Sequence, residues 1–192
     1  MKIVETNSLA VETALVSGEL SCPSCGGILC PWAHGRKRVV RLVGFDEHRS
    51  LRRSRCSSCK KTHVLVPCDT LVRRRDGIEI IGQALVESAA GTGYRKIASR
   101  LDRPPETVRG WLRRARSRVE QIRVHFTLWS VALDGSALLL ATGSAFADAM
   151  NAVGHAGRAA VLRHIANNPW HFCSGATFGM LLSNTNSPWL SP

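Results

Sequence analysis

Two Cys-x-x-Cys pairs are the residues of this sequence whose spacing points most directly to chemistry. Cys22 and Cys25 form the first pair, and Cys56 and Cys59 form the second. Each pair presents two thiolates to one ion from a compact turn, and four thiolates complete the tetrahedral shell of a structural Zn²⁺. The sequence therefore predicts one Zn²⁺ held by these four cysteines.

Further cysteines and histidines flank the two pairs and leave the ligand set open. Cys30 and His34 follow the first pair, while His63 and Cys68 follow the second, so two separate local metal sites are an alternative. Free cysteines are also common as small core residues, and histidines are often surface residues. A redox role is disfavoured because no thioredoxin-like βαβ pattern surrounds the pairs.

A second informative stretch is a short helix, a tight turn and a basic helix in the middle of the chain. The apolar spacing predicts a helix over Tyr94–Leu101, a connection at Asp102 and Arg103, and a third helix from Pro104 to Ile122. One face of that third helix is apolar and comprises Pro104, Val108, Trp111, Leu112, Ala115, Val119 and Ile122. This order of elements predicts a helix-turn-helix.

In a helix-turn-helix, the N-terminal part of the second helix reaches base edges in the major groove of double-stranded DNA. The predicted contacts fall into three groups. Base readers are Glu106, Thr107, Arg109 and Gly110; Arg113 and Arg114 lie nearer phosphates; and Arg95, Lys96 and Arg100 on the preceding helix suit backbone contacts.

The charge of the chain agrees with a polyanionic partner. Its 26 Lys and Arg against 14 Asp and Glu give a formal net charge of +12, and most basic residues lie between Arg36 and Arg123. Binding to DNA phosphates releases condensed counterions, which favours such a basic surface. A solvated basic face on an ordinary helical bundle is the alternative interpretation.

The elements that must position these residues indicate an α+β fold. We expect an N-terminal segment over 1–20, a β-rich zinc ribbon over 21–68 and a helix-turn-helix domain over 76–123. A hairpin between Val39 and Arg55 would span the long gap between the cysteine pairs. A further helix is expected over Ile78–Ala90, and the segment Ala10–Val16 fits either a helix or a strand.

The remaining chain predicts a helical extension over 124–166, with helices at Ser136–Val153 and Gly157–Ala166, and a flexible tail over 167–192. The apolar stretch from Val124 is interrupted at Asp134 and Gly135, so two buried helical segments are expected rather than a membrane span. Such a helical extension suits a homodimer that binds two half-sites. Residues 1–20 carry no secretory pattern, which favours a cytoplasmic, nucleoid-associated protein.

The chain resembles a group of uncharacterised actinobacterial proteins that combine a zinc ribbon with a helix-turn-helix. The motifs that carry this resemblance are Cys22-Pro23-Ser24-Cys25-Gly26, Cys56-x-x-Cys59, and Ile97-Ala98-x-x-Leu101 followed by Trp111-Leu112-Arg113-Arg114. These proteins are similar to the N-terminal DNA-binding regions of insertion-sequence transposases. Over about residues 20–123, the resemblance implies DNA binding, as a regulator or a transposase relic.

No catalytic pattern is evident, and we expect the protein not to be an enzyme. A two-metal transposase needs three carboxylates on a larger fold, whereas only Asp134 and Asp148 follow Arg123. No site for a small-molecule substrate is evident either. Three hypotheses remain: a DNA-binding regulator, a transposon-derived targeting module, and a zinc-dependent interaction protein that binds RNA or a protein partner.

Overall fold

The computed structural model describes residues 1–183. Over these residues it combines seven α-helices with one four-stranded sheet, which confirms the predicted α+β class. The strands are β1 (Lys2–Val4), β2 (Leu29–Arg41), β3 (Asp46–Cys56) and β4 (Thr62–Pro67). The helices are α1 (Ser8–Val16), α2 (Ile78–Ala89), α3 (Tyr94–Arg100), α4 (Pro105–Arg116), α5 (Val119–Leu133), α6 (Ala145–Leu162) and α7 (Pro169–Ala176).

The sheet is built around the long β2–β3 hairpin. Strand β4 pairs antiparallel with β3, and β1 pairs parallel with β4, which gives the order β1-β4-β3-β2. Two register shifts in β2, at Pro31/Ala33 and His34/Lys37, accommodate its greater length opposite β3. The hairpin is therefore longer than the predicted one, because it begins directly after the first cysteine pair.

Residues 1–20 form part of this sheet layer. They contribute β1 and α1, and the side chain of Asn7 caps α1 by accepting hydrogen bonds from the backbone N–H groups of Leu9 and Ala10 at 3.0 and 3.2 Å. The segment that fitted either a helix or a strand is thus a helix. Helix α1 buries Val11 and Leu15 in a small core shared with the sheet.

The helices α2 to α7 share a second, larger core. Its buried residues extend from Leu71 to Leu182 and include Ile81, Trp111 and Phe126. The chain segments expected to form a helix-turn-helix domain and a separate helical extension are therefore packed around the same apolar interior. Truncation after residue 123 would expose that interior to water.

The predicted third helix is divided in two. It ends at Arg116, and α5 begins at Val119, because Arg118 adopts a non-helical backbone with φ −130° and ψ 19°. The hydroxyl of Ser117 donates to the Arg114 carbonyl at 2.9 Å, which competes with the helical hydrogen bonds. Pro104, expected on the buried face, is exposed at the N-cap of α4.

The C-terminal helices also differ from the expectation. One helix, α6, spans the predicted break between the two expected helices, and residues 136–144 are irregular. Within α6, Gly157 allows α7 to approach closely, because a Cβ there would lie 2.8 Å from the Pro169 Cβ. The tail expected to be flexible over 167–192 instead contains α7, which buries Phe172 and Cys173. Residues 184–192 of that tail lie outside the described part.

None of the described helices has the length and hydropathy needed to cross a membrane.

Candidate functional site

The four predicted metal ligands lie together beside the small core that α1 shares with the sheet. The Sγ atoms of Cys22, Cys25, Cys56 and Cys59 all lie within 4.8 Å of one another. The Cys22–Cys59 and Cys25–Cys56 sulfur pairs are 3.8 and 3.5 Å apart. A tetrahedral ion with metal–sulfur bonds of about 2.3 Å holds its sulfurs about 3.8 Å apart, so this cluster has the dimensions of a four-thiolate metal site.

Both cysteine pairs use the same turn. The backbone N–H of Cys22 donates to the Gly27 carbonyl at 2.7 Å, and that of Cys56 donates to the Lys61 carbonyl at 2.9 Å. The residue after the second cysteine is left-handed in each turn, with φ +74° at Gly26 and φ +62° at Lys60. A conformation that favours glycine is therefore imposed on Lys60 by the need to aim two sulfurs at one point.

The backbone of these turns also favours the thiolate form. Burial by itself raises the pKa of the Cys56 thiol, but hydrogen bonds from the backbone N–H groups of Cys59 and Ser58 outweigh it and lower the pKa to about 6. The backbone N–H of Ser24 similarly donates to the Cys22 sulfur at 3.4 Å. Since metals bind the thiolate, these N–H groups prepare the cluster for a cation.

The flanking cysteines and histidines do not join the cluster in the described part of the chain. Cys30 and His34 are exposed on β2, and Cys68 lies beyond β4, where burial raises its thiol pKa to about 11. His63 lies closest: it is buried, and its Nε2 is 3.3 Å from the Cys22 sulfur. Burial and nearby positive charges lower the pKa of His63, so a neutral ring faces this ligand.

Helices α3 and α4 are joined by the tight connection that the sequence predicts. The Arg103 N–H donates to the Ala98 carbonyl at 2.9 Å, and the Asp102 N–H donates to the Ser99 carbonyl at 3.3 Å. Asp102 is left-handed, with φ +51°. These two bonds close the C-terminus of α3 in a Schellman arrangement and set the direction in which α4 leaves.

The basic residues predicted on α3 are all at the surface. Arg95 and Lys96 are exposed, and the Arg95 guanidinium lies 5.7 Å from the centre of the Tyr94 ring. Arg100 is exposed as well, but it forms an ion pair with Glu87 of α2. Of the three, Arg95 and Lys96 carry charge that no described carboxylate balances in an ion pair.

Helix α4 separates its buried face from its predicted contact face. Val108, Trp111, Leu112 and Ala115 are buried, whereas the predicted contacts lie on the remaining surface. These contacts are Glu106, Arg109 and Arg113, which are exposed, and Thr107, Gly110 and Arg114, which are half-buried.

Two contacts on α4 affect how its charge is presented. Arg109 pairs with Glu106 at 2.8 Å while both side chains stay mostly exposed, at 62% and 69%. Arg114 donates to the Gly110 carbonyl at 3.0 Å, which holds its guanidinium against its own helix. Arg113 therefore projects more freely than Arg114.

An acidic residue that the sequence did not single out connects the sheet to the α3–α4 turn. Asp76 is buried, and it accepts a 2.6 Å hydrogen bond from Arg103 and lies 3.7 Å from Arg41 at the end of β2. The backbone reinforces this junction, because Arg41 N–H donates to the Arg75 carbonyl and Gly77 N–H donates to the Arg41 carbonyl, both at 2.7 Å. The only sequence signal for this junction was the run of three arginines, Arg73–Arg75, directly before Asp76.

The chain matches no protein-family model, no curated protein and no solved structure at a significant level. The geometry described above is therefore the basis for any functional conclusion.

Proposed function

We propose that this protein binds double-stranded DNA through a helix-turn-helix formed by α3 and α4, supported by a structural zinc ribbon. The observation that carries the proposal is α4 itself. Its apolar face is buried, and its opposite face presents Arg109 and Arg113 beside a Gly110 that lacks a side chain. A short first helix, a tight turn and a basic second helix are the parts with which such a motif enters the major groove.

We assign Zn²⁺ to the four-cysteine cluster. Four protein sulfurs leave no open coordination position, as is usual for structural rather than catalytic zinc. The proposal accordingly includes no catalytic step. A regulator and a transposon-derived targeting module are both compatible with it, and a palindromic binding site would favour the regulator.

The first test of the proposal separates base contacts from phosphate contacts. A bidentate Arg–guanine contact contributes about 1–3 kcal/mol of discrimination, whereas a phosphate contact adds affinity without sequence preference. We expect Arg109→Ala to flatten preference at one base pair, and Arg113→Ala to weaken all sequences alike and lower the salt slope by about one. The measurement is binding to a panel of site variants, recovered first by selection from random duplex DNA, at several salt concentrations.

Glu106→Gln is the companion variant for the Arg109 prediction, because Glu106 is the neighbouring predicted base contact. It removes the carboxylate that pairs with Arg109 and leaves the arginine in place, so the preference at the base pair read by Arg109 should persist. Identical behaviour of Arg109→Ala and Arg113→Ala would contradict the placement of α4 in the groove. Failure of the unaltered protein to retain any duplex would contradict the proposed function as a whole.

We also propose a homodimer that uses the outer face of α5. Val124, Leu128 and Val131 are exposed at 45%, 66% and 54%, and their spacing places them on one stripe of the helix. Two copies of such a stripe, related by a two-fold axis, would bury each other and present two α4 helices to two half-sites.

Leu128→Glu tests the dimer without opening the shared helical core. We expect the mass measured by light scattering to fall from that of two chains to that of one, because a charge in an apolar contact is costly. Leu162→Glu, at a leucine of α6 that is 81% exposed and lies outside the α5 stripe, is the matched control. A single-chain mass for the unaltered protein would contradict the dimer.

A further inference from the structure

The sheet has a face that α1 leaves open. Helix α1 covers the face that carries Leu65. The opposite face forms a groove of about 330 Å³, whose lining includes Val64, Val66 and Leu51. None of the lining residues is acidic, and four of them are arginines, namely Arg36, Arg38, Arg53 and Arg73.

Two of these arginines are held in an environment that is unfavourable for an isolated cation. Arg38 and Arg53 are half-buried, and their Nε atoms are shielded from solvent with no hydrogen-bond partner among the described residues. Burial lowers the pKa of Arg38, and the nearby charges of Arg49 and Arg75 add to this effect. Guanidinium groups retained in this state are suited to a bound anion that supplies the missing acceptors.

Arg49 shows what a satisfied arginine looks like in the same sheet. It lies directly opposite Arg38 across the β2–β3 pair, yet it donates to both oxygens of Asp69 and to Glu47, all at 2.7 Å. Arg49 is thus surrounded by carboxylates, whereas the groove beside Arg38 contains none. This difference separates the groove from an ordinary surface network of ion pairs.

The chain segment at one end of the groove approaches α4. Arg73 of the groove belongs to the Arg73–Arg75 segment, whose backbone is fixed by the hydrogen bond from Arg41 to the Arg75 carbonyl and by one from Val72 to the Gly179 carbonyl at 2.9 Å. Arg74 in that segment lies close enough to Arg114 of α4 for the two charges to interact. At the sheet itself, the Arg55 guanidinium lies 4.8 Å from the centre of the exposed Trp32 ring. Three arginines, Arg73, Arg74 and Arg114, therefore link the groove to the proposed recognition helix.

We infer that this arginine groove of the sheet is a second binding site for the phosphodiester backbone, and that it contacts DNA flanking the bases read by α4. The inference rests on the proposed function, because it assigns to the ribbon a share of the same duplex. The contacts of Asp76 with Arg41 and Arg103 join the end of β2 to the turn before α4, which would reduce the reordering needed for both surfaces to engage one continuous duplex. The ribbon is on this view a contact surface as well as a metal-stabilised support.

The test removes groove charge and measures the salt dependence of binding to the selected duplex. The triple variant Arg36→Gln, Arg53→Gln, Arg73→Gln should lower the salt slope by about 0.9 for each phosphate that is no longer neutralised, which is about 2.7 for three phosphates. Sequence preference should be unchanged, and hydroxyl-radical footprinting should show weaker backbone protection beside the site with protection at its centre retained. Metal content confirms that the ribbon of the variant is folded.

Two further variants make the result decisive. The double variant Arg36→Gln with Arg73→Gln alters only exposed side chains. It replaces the triple variant in the test if the change at the half-buried Arg53 perturbs β3. Arg158→Gln with Arg163→Gln removes the same charge from exposed positions in and just after α6 and should leave slope and footprint unchanged. Groove variants that bind with the unaltered slope and footprint, while Arg113→Ala weakens binding, overturn the groove site and leave the proposed function standing. Absence of duplex binding by the unaltered protein overturns both.

Discussion

Removing the metal from the four-cysteine cluster should unfold residues 20–68 and release α1, while the helical core stays folded. The small core beneath α1 consists of Val11, Leu15, Leu29 and Leu65 together with two of the ligands themselves. Metal binding contributes about 10–16 kcal/mol of folding free energy in comparable small zinc domains. This is more than burial of these few apolar side chains can contribute, so the segment should not stay folded without the metal. Hydrogen exchange before and after a strong chelator, read segment by segment, measures the effect.

The cysteine variants give the same prediction without a chelator. Cys22→Ser combined with Cys56→Ser should abolish metal binding, whereas Cys30→Ser, at an exposed thiol outside the cluster, should retain one ion per chain. Elemental analysis of the purified protein identifies the ion, and zinc is expected. Retention of stoichiometric metal by the double variant, or purified protein that holds none, would show that the cluster is not the metal site.

Replacing Asp76 should destabilise the protein by about 3–5 kcal/mol, because it leaves a buried guanidinium without its counter-charge. The side chains of Asp76 and Arg103 are only 6% and 13% exposed, and Arg41 approaches the same carboxylate oxygen. We expect Asp76→Asn to lower the free energy of unfolding of the helical core measured in urea. DNA affinity should fall with it, since this carboxylate joins the sheet to the turn before α4.

An exposed ion pair in the neighbouring helix provides the matched control for Asp76. Glu106→Gln breaks its pair with Arg109, but those side chains are 69% and 62% exposed, and the change should stay within about 0.5 kcal/mol. The double variant Asp76→Asn with Arg103→Gln should be less destabilised than the sum of the two single variants. Equal effects of Asp76→Asn and Glu106→Gln would contradict a buried junction.

Sequence alone was sufficient for the features that short stretches encode. Each Cys-x-x-Cys turn fixes two sulfurs within four residues, so bringing the turns together required only the hairpin between them. Helices α2 and α3 follow their apolar spacing, and the turn at Asp102 closes through bonds to carbonyls three and five residues earlier. In all these cases the interacting groups are near neighbours along the chain, which is the range over which residue patterns act.

Tertiary structure decided everything that depends on distant partners. The helix break at Ser117 and Arg118 allows α4 and α5 to pack against different neighbours, and the close packing of Pro169 on α6 requires a residue without a side chain at Gly157. The junction at Asp76 and the arginine groove likewise join side chains far apart in sequence. A sequence pattern records which residues are apolar or charged, but burial and charge neutralisation are set by what the folded chain brings beside them. Arg49 is therefore paired with the Asp69 carboxylate, whereas Arg53 has no carboxylate beside it in the groove.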